Sequence, residues 1–244
     1  MAAVIAGIAG GSTTEGATFT TASFTPAAND LLVACAIVTG TASAGSMSDS
    51  LGGTWTQVAT ALKAASADKL WCFIRDTLST GVALTVTMDV TGDDGTGFAV
   101  AVLRVSGMPR TGNSGAARQS ATQDNQAGGG TPGPSFPAAA LTGNPTIGFV
   151  ANAANPAALT PPTDWTERLD AGYATPDTGI EVASRNDGFT GTQISWGGTS
   201  GSAFGDIIVE LNAGPIGGRT LEDVEPVGLI DEGPLCKGCW VGAG

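Results

Sequence analysis

The sequence predicts an all-β protein: a jelly-roll-like antiparallel β-sandwich built from two internal repeats, followed by an extended C-terminal arm. Three observations predict it. Charged residues make up only 13% of the 244 residues while glycine alone contributes 37, a balance that suits short strands and turns better than amphipathic helices. Apolar residues recur with period two or in short continuous runs, never with a helical period. Landmarks of the first half return in order in the second.

The duplication is read from those landmarks. Phe24 matches Phe136, Trp55-Thr56 matches Trp165-Thr166, Arg75 matches Arg185, Thr80-Gly81 matches Thr190-Gly191, and Phe98 matches Phe204. The offset falls from 112 at Phe24/Phe136 to 110 at Trp55/Trp165 and 106 at Phe98/Phe204, the drift that small loop deletions produce. The predicted layout is a sandwich over 1–214, with repeat one about 17–106, a crossover loop 107–133 and repeat two about 134–213, then an arm over 215–244.

Within each half the strands declare themselves. Val82, Leu84, Val86 and Met88 alternate with polar residues and mark a half-buried strand. Leu31 to Val38 is apolar on both parities and predicts a central strand covered on both faces. Residues 98–105 and 203–211 read as similar closing strands, and "TGDDGTG", "NDGFTG" and "GGTSGS" punctuate between elements. Two arrangements fit: each repeat as its own small sandwich, or both halves interleaved as one. The interleaved form is expected, because half the chain would bury a thin core.

Charge and composition exclude several function classes. The net charge of −12 leaves no basic stripe for nucleic acid or an anionic membrane surface. The absence of histidine removes Ser-His-Asp and Cys-His catalysis and His-ligated zinc. No phosphate-binding glycine loop is present. The opening "MAAVIAGIAGG" has no positive n-region, and the expectation is a protein made in a host cytoplasm that does not use the ordinary secretory route. No cofactor is expected.

"SFTPAANDLLVACAIV", "MSDSLGGTWTQV", "LWCFIRD", "VALTVTM" and "AVAVLRVSG", with "PPTDWTER" and "FGDIIVEL" in the second half, resemble a widespread bacterial and phage β-sandwich family over roughly residues 12–213. Its members are similar to the jelly-roll modules of phage head fibres, capsid decoration proteins, tail appendages and bacterial surface proteins. The resemblance implies a fold and a virion setting rather than a catalytic activity. Expected partners are other virion proteins, of capsid or tail, and further copies of the chain, with host surface glycans as an alternative.

Several residues are candidates for function, each with a plainer reading beside it. Trp55 and Trp165 open equivalent strands and could stack on sugars, or pack the sandwich edge. Arg75 and Arg185 could each anchor a carboxylate or loop carbonyls through the planar guanidinium. Arg104 and Glu210 hold equivalent positions with opposite charge and would pair if their strands were neighbours. Asp89, Asp93 and Asp94 form an acidic turn whose calcium reading competes with an ordinary Asp-Gly hairpin. Glu181, Glu167 and Glu210 are acids among which nothing selects a glycosidase pair. Cys35 and Cys72 lie in apolar strands, as buried thiols or, if their strands face each other, a bridge.

In the arm, prolines at 215, 226 and 234 oppose a helix, and the apolar residues Val224, Val227, Leu229, Ile230, Leu235 and Trp240 are too few for a core. They read as a surface for docking on a partner. Cys236 and Cys239 form a single CxxC knuckle, half of a zinc site at most; it could be a disulfide, a shared metal site or a pair of apolar contacts.

Overall fold

The computed structural model describes residues 3–13, 18–40, 44–63, 68–91, 97–108, 114–125, 127–152, 159–174, 177–200 and 202–213. Thirteen strands are formed in them: β1 (Val4–Thr13), β2 (Thr18–Thr20), β3 (Leu31–Thr39), β4 (Ala44–Asp49), β5 (Trp55–Leu62), β6 (Lys69–Arg75), β7 (Val86–Thr91), β8 (Gly97–Ser106), β9 (Ala117–Asn125), β10 (Thr146–Asn152), β11 (Thr166–Ala174), β12 (Asp177–Arg185) and β13 (Phe204–Leu211). Strand pairing is antiparallel throughout, as the all-β reading requires.

The strands build two five-stranded sheets and one small one, in the orders β1-β8-β3-β6-β5, β11-β12-β10-β13-β9 and β2-β7-β4. The two large sheets pack face to face. Leu31, Val33, Cys35 and Ile37 of β3 meet Phe149, Val182, Ile207 and Val209 in the core between them. The opposite parity of β3, Leu32 to Val38, packs with Trp71, Phe73, Val86 and Met88 against the small sheet. This is why β3 is apolar at both parities: all nine of its residues are buried. On the outer face of the second large sheet, Phe136, Ala140, Ile194, Leu159 and Trp196 from the connecting segments take the place of a small sheet.

The first half carries jelly-roll connectivity. In it, strands one, eight, three and six stand side by side, opposite strands two, seven and four. The fifth strand meets β4 through the bridge Ser48 to Thr54 just before it and through the Trp55 indole on Asp49, and then pairs with β6. The second half repeats the large-sheet order as β9-β13-β10-β12-β11. Its small sheet is reduced to the bridges Ser135–Gln193 and Thr160–Gly197. Even the bulges coincide: β5 slips between Gln57 and Ala59 against β6, and β11 slips between Glu167 and Leu169 against β12.

Two expectations are corrected. The halves do not interleave: among the described residues, every strand pairs only within its own half, and the thin-core objection is met by stacking the halves back to back. The expected crossover loop 107–133 contains β9, which pairs with β13. Its sequence, ARQSATQDN, is polar and lies at a sheet edge with alternating exposure, so it carries no run of apolar residues to announce it. The alternating segment also starts later than its pattern suggests: β7 begins at Val86, Leu84 makes only a bridge to Phe24, and Val82 is exposed.

Edges of the two large sheets close over each other, β1 against β11 and β5 against β9. Gly7 and Gly10 make the first closure; a Cβ at Gly7 would strike the Arg168 carbonyl, and one at Gly10 the Leu169 side chain. At the second, the Leu62 N–H donates to Asp124 Oδ1 at 2.9 Å and Ser120 Oγ donates to the Val58 carbonyl at 3.2 Å.

Candidate functional site

The arm residues Val224, Val227, Leu229, Ile230, Leu235, Cys236, Cys239 and Trp240 lie outside the described residues, as do Asp93 and Asp94. Asp89 lies in β7 opposite Thr18 and Ser46. Among the described residues, no group of three or more Cys, Asp or Glu is placed to hold a metal ion.

Trp55 and Arg75 stand directly opposite each other on β5 and β6. Both reach Asp49: Arg75 Nε donates to Asp49 Oδ2 at 2.8 Å and Trp55 Nε1 donates to the same oxygen at 3.0 Å. The other oxygen accepts the Leu51 and Gly53 amides at 2.9 and 3.1 Å, closing the β4–β5 turn. Arg75 Nη1 continues to the Thr77 and Leu78 carbonyls, so one guanidinium ties two loops, as its fork geometry allows. Burial alone would raise the Asp49 carboxyl; the Arg75, Gly53 and Trp55 hydrogen bonds outweigh it and hold the group below its ordinary range.

The second half uses the matching residues more loosely. Arg185 Nε donates to the Asp187 carbonyl at 2.9 Å and Nη1 lies 3.7 Å from the exposed Asp164. Trp165 is half-buried and meets Phe189 edge to face, with centroids 5.5 Å apart and planes at 76°. Both tryptophans therefore pack against the outer faces of their sheets.

Arg104 and Glu210 do not pair, because β8 and β13 belong to different sheets. Arg104 lies 3.6 Å from Asp30. Glu210 is fully buried and accepts from Arg118 Nη1 at 2.5 Å, Gln119 Nε2 at 2.5 Å, Asn144 Nδ2 at 2.7 Å and the Leu141 amide at 2.9 Å. Burial pushes its carboxyl up, and the Leu141, Asn144, Arg118 and Gln119 bonds bring it below its ordinary value. It is a structural pin for the loop before β10.

Cys35 and Cys72 are directly opposite on β3 and β6, fully buried and free. Burial raises both thiols, Cys72 to beyond the usual thiol range.

A groove of about 510 Å³ opens between β4 and β5, where the fifth strand has left the small sheet. Gln57, Thr60, Lys69 and Trp71 line it, and Asp124 reaches in from β9. The equivalent place in the second half is acidic. Glu167 and Asp170 of β11 stand opposite Ala183 and Glu181 of β12. Glu181 is 3% exposed and neither carboxyl oxygen has a hydrogen-bond partner. Burial, then the charges of Asp170 and Glu167, push it up to about 8. Asp170 is pushed up to about 6 by burial and then by Glu167. Asp206 is wholly buried on β13 and is raised by burial, against the opposing effect of the Trp196 indole and the Ile207 amide.

Of these acids, the sequence singled out Glu181, Glu167 and Glu210 without ranking them, and missed Asp49, Asp170 and Asp206. Asp206 had a signal: with Glu210 it is one of two acids set in an apolar closing strand, FGDIIVEL.

No family model, no curated protein and no solved structure matches the chain.

Proposed function

We propose that this chain is a non-enzymatic structural protein of a phage particle, of capsid-decoration or head-fibre type, attached through residues 215–244. The observation that carries the reading is the jelly-roll connectivity of the first half, whose large-sheet order the second half repeats, an architecture shared by viral capsid and lectin domains. A fold does not by itself assign a function. Two features of the sequence add support: the resemblance of segments such as "SFTPAANDLLVACAIV" and "PPTDWTER" to phage sandwich modules, and an acidic, proline-containing tail whose apolar residues need a partner surface. Its partners on this reading are capsid or tail proteins and further copies of the chain, and its location is the virion. Mass spectrometry of purified particles tests it: the chain is expected at a fixed stoichiometry to the major capsid protein, and particles free of it would refute the proposal.

The groove beside Trp71 favours a second reading, a glycan-binding adhesin module. Gln57, Thr60, Lys69 and Asp124 offer the amide, hydroxyl, ammonium and carboxylate groups that hold sugar hydroxyls, beside Trp71. On this reading a glycan array gives a signal that Gln57→Ala abolishes. Trp55 and Trp165, packed on their sheets, would be secondary to that groove.

A further inference from the structure

The two halves place different chemistry on the same scaffold. Thr60 faces Trp71 across β5–β6, and Asp170 faces Glu181 across β11–β12, each pair just past the shared bulge. Before the bulge, Gln57 and Glu167 correspond in the same way. The neutral floor of the first-half groove thus becomes three carboxyl groups in the second. One of them, Glu181, is buried with both oxygens unpartnered, the arrangement in which a carboxylate is most costly and a neutral acid is tolerated.

The groups around Glu181 leave a proton as its natural companion. From β11 it faces Asp170 and Glu167, both acidic. From β10 it faces Val150, and beyond that, in the same row, Asp206 of β13. Leu159, Ala183 and Trp196 pack with Val150 on this face and carry no charge. Arg168, in the bulge itself, turns away to Ser184 Oγ at 2.7 Å and Asn186 Oδ1 at 3.4 Å. Among the described residues, no lysine or arginine pairs with Glu181.

We propose that Glu181, Asp170 and Glu167 form a proton-operated latch on the edge of the second sheet: protonated Glu181 lets β11 lie on β12, and loss of that proton loosens the edge strand. The direction follows from linkage. The folded state holds the proton that the unfolded chain releases near 4.5, so stability is full below that value and falls as pH rises towards about 8. Asp170 acts in the same direction up to about 6.

Urea unfolding of the full chain and of Glu181→Gln from pH 5 to 9, at fixed ionic strength, tests the latch. The wild-type folding constant is expected to fall by up to roughly a hundredfold per pH unit below about 6, where Asp170 also gives up its proton, and by up to roughly tenfold per unit from there to about 8, where it levels off; Glu181→Gln is expected to lose the fall between about 6 and 8. Amide exchange in residues 167–172 at pH 9 is expected to be faster in wild type than in Glu181→Gln at the same pH. Asp170→Asn keeps Glu181 but removes a neighbouring charge, so its decline is expected to end at lower pH; this variant decides the matter if Glu181→Gln does not fold. Parallel pH profiles for wild type and Glu181→Gln, or for wild type and Asp170→Asn, would overturn the proposal. A wild-type profile rescued at pH 9 by spermidine but not by equal ionic strength of sodium chloride would also overturn it, by assigning the cluster to a cationic ligand instead.

Discussion

Asp49 and Arg75 form a buried ion pair, with Arg75 Nε 2.8 Å from Asp49 Oδ2 and the two side chains 6% and 0% exposed. The carboxylate is saturated by four donors, which is the condition under which a buried pair holds a fold rather than straining it. Asp49→Ala strands the guanidinium and should cost about 3–5 kcal/mol in urea unfolding. Arg75→Lys should recover only part of the wild-type stability, because an ammonium cannot span Asp49 and the Thr77 and Leu78 carbonyls.

Acid should destabilise the protein through a different set of groups from those that respond to base. Asp49 and Glu210 are held below their ordinary values by hydrogen bonds, so their contribution is present above the unfolded carboxylate range and is lost as pH falls through their folded values. Thermal melts from pH 5 down to pH 2 should show a falling midpoint. The fall should be shallower in Glu210→Gln, whose buried amide no longer titrates.

The closure of β1 on β11 depends on the absence of side chains at Gly7 and Gly10. Gly10→Val should force the edge strands apart and cost about 1–3 kcal/mol by overpacking. The same substitution at Gly52, where an added Cβ meets nothing, tests backbone strain alone, since that residue has a φ of +73°. Unfolding midpoints of the two variants, with amide exchange localised to β1 and β11, separate the two causes.

Cys35 and Cys72 should be inert in the folded protein. Burial disfavours both thiolates, and the thiolate is the reactive form. In a Cys236→Ser, Cys239→Ser background, Ellman's reagent should find no reactive thiol in the native protein and two after denaturation. Native reactivity would show that the core between the large sheets opens.

Much of this architecture was legible in particular residues. The two-sided apolar run at Leu31–Val38 announced a doubly covered strand. The way the halves combine was not legible, because a strand covered on both faces fits interleaved and stacked sandwiches equally well. β9 was missed because an edge strand needs no apolar run. The acidic cluster was hidden for another reason: Asp170 meets Glu181 only through the register after the bulge at Arg168, and no local pattern encodes a cross-strand partner. The docking role of the arm rests on composition and lies outside the described residues.

The most direct test of the virion reading is co-sedimentation of the protein with particles that lack it, comparing the full chain with a chain ending at Ala213. The sandwich should remain folded in both, as shown by equal urea midpoints. The full chain should sediment with the particles at saturable stoichiometry and the shortened chain should stay in the supernatant. Equal binding by the two chains would contradict attachment through residues 215–244, and binding by neither would contradict the virion assignment itself.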